Sequence, residues 1–237
     1  MNVRDTLNTV EGYQEILDEN MIFIKEQLED LQKSVTQKEI NYTNKSLFYY
    51  TLSSLQAKYS QGGPVKELIP LLTGAIDYST IIWDQSFAYV QMVWMLSIGI
   101  MLEIRDEEFN KLIKLVDADN PNDYLVDMLI RYRKADWHSE SNEFKFPMPY
   151  MKIKKVCDAA LSGDKEQAIK DLTSYIDKAW YKGHSDSGWY DSHKSKFNTH
   201  EGYWSYESGA IVKIFGLDDS GLKDQQYYPY DLVHYKD

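Results

Sequence analysis

Three of the five histidines fall in one loop between Gly183 and His200, which carries His184, Asp186, Asp191, His193 and His200. Imidazole and carboxylate groups are zinc donors, so the first chemistry to weigh is metal-dependent hydrolysis through His184, His193 and His200. The spacing does not favour it. Neither His184-x-Asp186 nor Asp191-x-His193 repeats the His-x-x-x-His step that sets two ligands on one helix face. Hydrogen-bonded structural histidines or a partner-facing loop are the better expectations, and no metal or cofactor is implied. Glu207 is the second candidate. A helix over Glu201–Phe215 places it on one face with Tyr203, Ala210, Ile211 and Ile214. A lone carboxylate there must accept hydrogen bonds from tyrosine or tryptophan groups or have a raised pKa. A raised pKa suits a general acid, but no paired second carboxylate stands at a recognisable spacing, so a structural polar network is expected. Cys157, beside Val156 with no histidine nearby in sequence, reads as core packing. The chain has no Gly-x-Ser-x-Gly elbow, phosphate-cradling glycine loop or two-cysteine site, so no catalytic residue is assigned.

The elements that must position these groups are helices. Val3, Leu7, Val10, Leu17, Met21, Ile24, Leu28, Leu31 and Val35 recur at alternating steps of three and four, with Gln14 in the polar seam position, which predicts a first helix. Thr36 and Glu39 form a capping-box pattern. Ile40, Leu47, Leu55 and Tyr59 then carry a second apolar face to Gly62-Gly63-Pro64, so an antiparallel hairpin is expected over a dimer zipper. Further starts are signalled by Asp106 before Glu107-Glu108, by Asn120 with Pro121, by Pro149 before Met151 and by Asp164 with Gln167. Met151–Leu161 and Lys165–Trp180 form a helix pair whose second half resembles a tetratricopeptide second helix. A single occurrence predicts a local hairpin, not a solenoid. Gly216 suits the left-handed residue ending the Glu201–Phe215 helix, Asp218-Asp219-Ser220 suits a turn, and Pro229 makes Tyr228 extended and Tyr227–Asp231 a rigid aromatic strip pinning the two halves. Strand signals are nearly absent. The expected fold is all-α, with antiparallel helical hairpins in two packed helical halves and no significant sheet. The halves are residues 1–135 and 149–237, joined by a connecting loop at 136–148 where Ser139, Asn142, Pro147 and Pro149 break the periodicity.

Composition narrows the function. The apolar tract Ala88 to Leu102 is shorter than the ~20 residues of a membrane span and is interrupted by Gln91, Ser97 and Gly99, so a buried core helix is expected. One cysteine excludes an internal disulfide, and no signal region is evident near Met1, which makes a reducing cytoplasm the expected compartment. The net charge of −11, from 26 basic and 37 acidic side chains, argues against direct nucleic-acid binding by phosphate neutralisation. Residues 1–40 hold four Lys/Arg against nine Asp/Glu, whereas 121–180 hold ten of each. The plain reading of this acidity is a solvated helical face; the functional one makes the first-helix acids Glu15, Asp18, Glu19, Glu26, Glu29 and Asp30 candidates for binding a basic protein.

The stretch Glu201 to Tyr235 packs eight aromatics among carboxylates. Its succession Gly202-Tyr203-Trp204-Ser205-Tyr206-Glu207, Gly216-Leu217-Asp218-Asp219-Ser220 and Tyr227-Tyr228-Pro229-Tyr230-Asp231-Leu232 resembles the signature of the PoNi-like immunity proteins, a family with paired N- and C-terminal domains. Trp180, His184 and Asp191-Ser192-His193 fit the same pattern, so the likeness runs from Met151 to Tyr235; the N-terminal half matches in length and in its long helices. The resemblance implies a non-enzymatic antidote, similar to proteins encoded beside PoNe-type nuclease toxins of bacterial competition systems, that protects the producer by binding the toxin. Tyr203, Trp204, Glu207, Asp218, Asp219, Tyr228, Pro229 and Asp231 are expected to be structural. The expected function is a cytoplasmic immunity protein that neutralises a toxin, a basic DNase, by stoichiometric occlusion, with no membrane contact. A helical scaffold or adaptor acting through the tetratricopeptide-like hairpin is the alternative.

Overall fold

Thr9 opens the first helix because its hydroxyl accepts the Gly12 amide at 2.9 Å, leaving α1 to run over Val10–Lys33. The computed structural model describes residues 3–83 and 89–236; Met1, Asp237 and Ala88, where the expected core tract begins, lie outside them. The capping box is complete: Thr36 Oγ1 accepts the Glu39 amide while Glu39 accepts the Thr36 amide, and α2 follows over Gln37–Gln61. Gly62 ends α2 at φ 97°, where a side chain would be strained. The three-residue link makes α1 and α2 an antiparallel hairpin, and α3 (Leu68–Ile82) packs on α2.

The buried stripe of α1 is not the expected seam. Tyr13, Ile16 and Asn20 are buried, with Leu17, Ile24 and Leu31 half-buried beside them, whereas Met21 is 64% and Val35 88% exposed. A seam of period 3.5 drifts round a helix of period 3.6, and the bond from Asn20 Nδ2 to Ser53 Oγ (2.8 Å) fixes the rotation actually used.

The chain divides into two compact units. The first contains residues 1–88, 105–115 and 191–203, and the second 89–104, 116–190 and 204–237. In the second, α4 (Tyr89–Met101) is apolar all round and buried along nearly its whole length, as expected of its sequence. After α5 (Asp106–Asp119), α6 spans Tyr124–Arg133, α7 spans Pro147–Leu161 and α8 spans Lys165–Tyr175. α8 continues through a π turn at Ile176–Trp180 into α9 (Tyr181–Gly183), α10 spans Tyr206–Phe215, and α11 spans Tyr230–Val233. Among the described residues there is no strand, and the fold is all-α.

Two local expectations fail for identifiable reasons. α6 starts three residues beyond Pro121 because Asp123 takes the cap, its Oδ1 accepting the Val126 amide at 3.0 Å, while Asn120 and Asn122 adopt positive φ. α10 starts at Tyr206, not Glu201. Gly202 sits at φ 111°, and the Ser205 amide donates to the Tyr227 carbonyl at 2.8 Å instead of a preceding turn. Tyr203 therefore does not share a helix face with Glu207. In the tail, Tyr227 has φ 71° and Tyr230–Asp231 begin α11.

Gly209 marks where α10 packs on α4, α11 and the tail. A Cβ added there would lie 2.5 Å from Met101 Sδ, 2.8 Å from Pro229 Cγ and 3.0 Å from Val233 Cγ2. Neighbours from α4 and from the tail must move, so Gly209→Ala is expected to lose about 2 kcal/mol of stability. Urea denaturation measures this, and an unchanged midpoint would mean that the tail separates freely from α10.

Candidate functional site

The loop histidines do not converge. His184 is buried in the second unit, where its Nδ1–H donates to the Trp180 carbonyl (2.7 Å) and its Nε2 accepts the Tyr150 hydroxyl (2.9 Å). Burial pushes His184 below its ordinary value of 6.5 against the pull of that carbonyl, in keeping with a neutral ring. Among the described residues, no group of three or more His, Cys, Asp or Glu side chains is arranged to hold a metal ion.

His193 and His200 belong to the first unit and join a polar clasp. His200 Nε2 lies 3.1 Å from Asp5 Oδ2, and its Nδ1 lies 3.0 Å from Ser192 Oγ. Ser192 is 3.1 Å from the Tyr203 hydroxyl, which lies 2.9 Å from His193 Nδ1. Asp5 also accepts the Leu7 amide (2.8 Å) on Oδ1 and the Tyr203 amide (2.9 Å) on Oδ2. Burial raises the Asp5 carboxyl, but the His200 bond, the two amides and the His200 charge together bring it below its ordinary 3.8. His193 is lowered by burial first, then by the charges of His200 and Lys194.

The clasp fixes residues 192–200 beside the start of α1, and between them lies an open groove of about 1010 Å³. Glu11, Glu15, Asp18 and Glu19 line it from α1, with Ile22 at their C-terminal end; Lys196, Phe197 and Asn198 line it from the loop. Asn198 Nδ2 donates to the Gly12 carbonyl (2.8 Å) and to Glu15 (2.7 Å), which ties the loop to the helix. Among the described residues, no lysine or arginine forms an ion pair with any of the four acids.

Of the six acids singled out in the sequence, the structure gathers Glu15, Asp18 and Glu19 in this groove and leaves Glu26, Glu29 and Asp30 outside it. Asp30 lies 3.7 Å from Lys33 at the far end of the hairpin. Glu11 and Ile22 escaped the sequence reading, although the series 11, 15, 18, 22 is a single helix face. Asp5 and Asn198 carried no sequence signal, since each works through a partner nearly two hundred residues away.

In the second unit Glu207 is fully buried, and its Oε1 accepts hydrogen bonds from Tyr175 Oη (2.8 Å) and Ser205 Oγ (2.7 Å). Burial raises its pKa against these bonds. The Trp180 indole also favours the charged carboxylate, though neither its Nε1 nor Glu207 Oε2 completes a hydrogen bond of good geometry. Asp219 accepts the Tyr228 hydroxyl at 2.6 Å and approaches His234 Nε2 at 2.9 Å. Trp204 and Pro229 are buried, whereas Asp218 and Asp231 are exposed.

Two family models cover the chain. The N-terminal model of the PoNe immunity protein (PoNi) family matches residues 4–114, and its C-terminal model matches residues 121–232. The chain belongs to the PoNe immunity proteins. Its fold is similar to that in the crystal structure of protein PA2201 from Pseudomonas aeruginosa, with a TM-score of 0.69 and 16% identity over 98% of this chain and 90% of that one. A search of curated proteins finds no match. Among the described residues, no helix is long and apolar enough to cross a membrane.

In this PoNe immunity protein, Asp5, His200 and Ser192 are connected in the order of an acid–base–nucleophile relay. The resemblance to a hydrolase stops there. A relay needs donors for the oxyanion, and four of the neighbouring main-chain amides are already engaged: His193 with Tyr203, Lys194 with the Asp191 carbonyl, Ser195 with the Ser192 carbonyl and Phe197 with Ser195 Oγ. Carboxylates lining the same groove oppose any negative charge developing in it. The arrangement is suited to holding a loop in place.

Proposed function

We propose that this PoNe immunity protein neutralises a DNase toxin by binding it one to one and covering its nucleic-acid groove with the acidic side of α1, without catalysis and in the cytoplasm of the producing cell. The observation that carries this reading is the wall of Glu11, Glu15, Asp18 and Glu19, which has no basic partner among the described residues. Four acids lining a groove with one lysine, Lys196, and no direct ion pair repel one another, and a cationic surface relieves that repulsion. A DNase offers such a surface, because it must neutralise phosphates to hold its substrate. In this reading α1 of the N-terminal half, residues 1–135, carries the acidic part of the partner surface, and residues 192–200 supply the facing wall. The C-terminal half, 149–237, holds the buried Glu207 and Asp219 networks as scaffold, with 136–148 as the connection.

Co-expression with the toxin encoded beside it tests the function, by growth rescue and by a complex on size exclusion. Failure of both would remove the immunity reading and favour a scaffold for another protein. Reversing Glu15, Glu19 and Glu26 together to lysine is expected to weaken the complex by about ten- to a hundredfold and to flatten its salt dependence. Isothermal titration at two ionic strengths measures both, and an unchanged affinity would exclude this side of α1.

A further inference from the structure

The groove combines two features. It contains exposed apolar side chains on both walls, Ile22 at 54% exposure on α1 and Phe197 at 66% on the loop. Single exposed apolar residues are ordinary, but two lining one concave, otherwise charged site give it a mixed chemistry. The wall carrying Phe197 is also anchored, by Asn198 to α1 and by the Asp5–His200–Ser192 clasp, so the aromatic ring is offered from a fixed main chain. From Glu11 to Ile22 the wall runs roughly 16 Å along α1, the reach of about five extended residues.

We infer that this groove is the seat for one basic segment of the toxin bearing an apolar side chain: lysines or arginines pair with Glu11, Glu15, Asp18 and Glu19, and the apolar group lodges between Ile22 and Phe197. Glu26, Glu29 and Asp30, outside the groove, act only on the approach of the partner. The inference rests on the proposed toxin neutralisation and divides its acids into two kinetic classes. Charges enclosed on binding govern dissociation, whereas peripheral charges govern the association rate and its salt dependence. A small polycation matches the acids but has nothing for Ile22 and Phe197, and an acidic or purely apolar ligand is excluded by the wall itself.

The test uses the full chain and a fluorescein-labelled peptide, Lys-Lys-Leu-Lys-Lys flanked by Gly-Ser, followed by anisotropy. Phe197→Ala, at an exposed position that folding does not depend on, is expected to weaken binding by about tenfold, and Leu→Ser in the peptide by a similar factor. The triple variant Glu15→Gln, Asp18→Asn, Glu19→Gln is expected to lose more than about tenfold, and the outer triple Glu26→Gln, Glu29→Gln, Asp30→Asn less than about twofold. No binding of the peptide, equal binding of its leucine and serine forms, equal losses in the two triples, or binding of spermine as tight as the peptide would each overturn the seat. Stopped-flow measurement with the co-encoded toxin separates this inference from the function it rests on. Peptide binding without toxin binding removes the function and keeps the seat. Toxin binding with an unchanged off-rate in Phe197→Ala and in the groove triple removes the seat and keeps the function.

Discussion

Glu207→Ala is expected to destabilise the protein by about 3–5 kcal/mol, as much as truncating a buried aromatic at the family-motif positions. The side chain is fully buried, and its removal leaves the Tyr175 and Ser205 hydroxyls without their acceptor as well as a cavity beside Trp180. The disturbance spreads, because Ser205 also bonds Ser208 at 2.7 Å and its amide holds the Tyr227 carbonyl at the start of the tail. Glu207→Gln keeps an oxygen for both hydroxyls and removes the buried charge, so its loss at pH 7 is expected to be less than half that of alanine. The pH dependence has a definite sign. Burial raises the folded pKa of Glu207 above its ordinary 4.5, so its favourable contribution is full below 4.5 and declines as pH rises through the raised value. Glutamine does not titrate, so the difference between Glu207→Gln and the native protein shifts in favour of glutamine as pH rises from 4.5. Urea denaturation across pH 4–8 measures this, and parallel stability curves would refute the buried-acid account.

Helix identity was legible in the sequence wherever a local signal decided it. Thr36 with Glu39, Asp164 with Gln167, Gly62 and Gly216 all cap or terminate helices as their chemistry requires, and Asp106 begins α5. The reading failed where a distant group outbid the local one. Pro121 is well formed for a helix start, yet Asp123 takes the cap while its Oδ2 also binds Tyr89 and the Lys145 amide, contacts that no window around Pro121 contains. Tyr203 looked like a helical neighbour of Glu207, but Asp5 holds its amide from the other end of the chain. The same asymmetry applies to the candidate site. Its acids were visible because a charge and its helix face can be counted along one segment. The groove was not, because its second wall comes from residues 195–200 and its shape depends on Asn198 and Asp5.

Asp5→Asn is expected to be nearly as damaging as Asp5→Ala, costing about 2–4 kcal/mol and opening residues 192–203, although asparagine has the same shape as aspartate. Both carboxylate oxygens are used as acceptors, Oδ1 by the Leu7 amide and Oδ2 by the Tyr203 amide and His200. Asparagine has one oxygen, so its NH₂ must face either the Leu7 or the Tyr203 amide, donor against donor. His200 can adapt by exchanging its tautomer, with Nε2 accepting and Nδ1–H turned to Ser192, but a main-chain amide has no such freedom. Acid should erase the difference between variant and native protein. The folded pKa of Asp5 lies below its ordinary 3.8, so its contribution is present above 3.8 and is lost as pH falls through the lowered value. The native protein and Asp5→Asn should therefore differ most near neutral pH and converge in strong acid. Hydrogen exchange supplies the local readout: protection should fall at the Leu7 and Tyr203 amides while the α10 amides of the second unit stay protected. The variant changes no groove-lining residue, so weaker binding of the basic peptide by Asp5→Asn would assign the clasp the role of positioning Phe197 and Asn198. Unchanged exchange at Leu7 and Tyr203 would show that the clasp does not hold the loop.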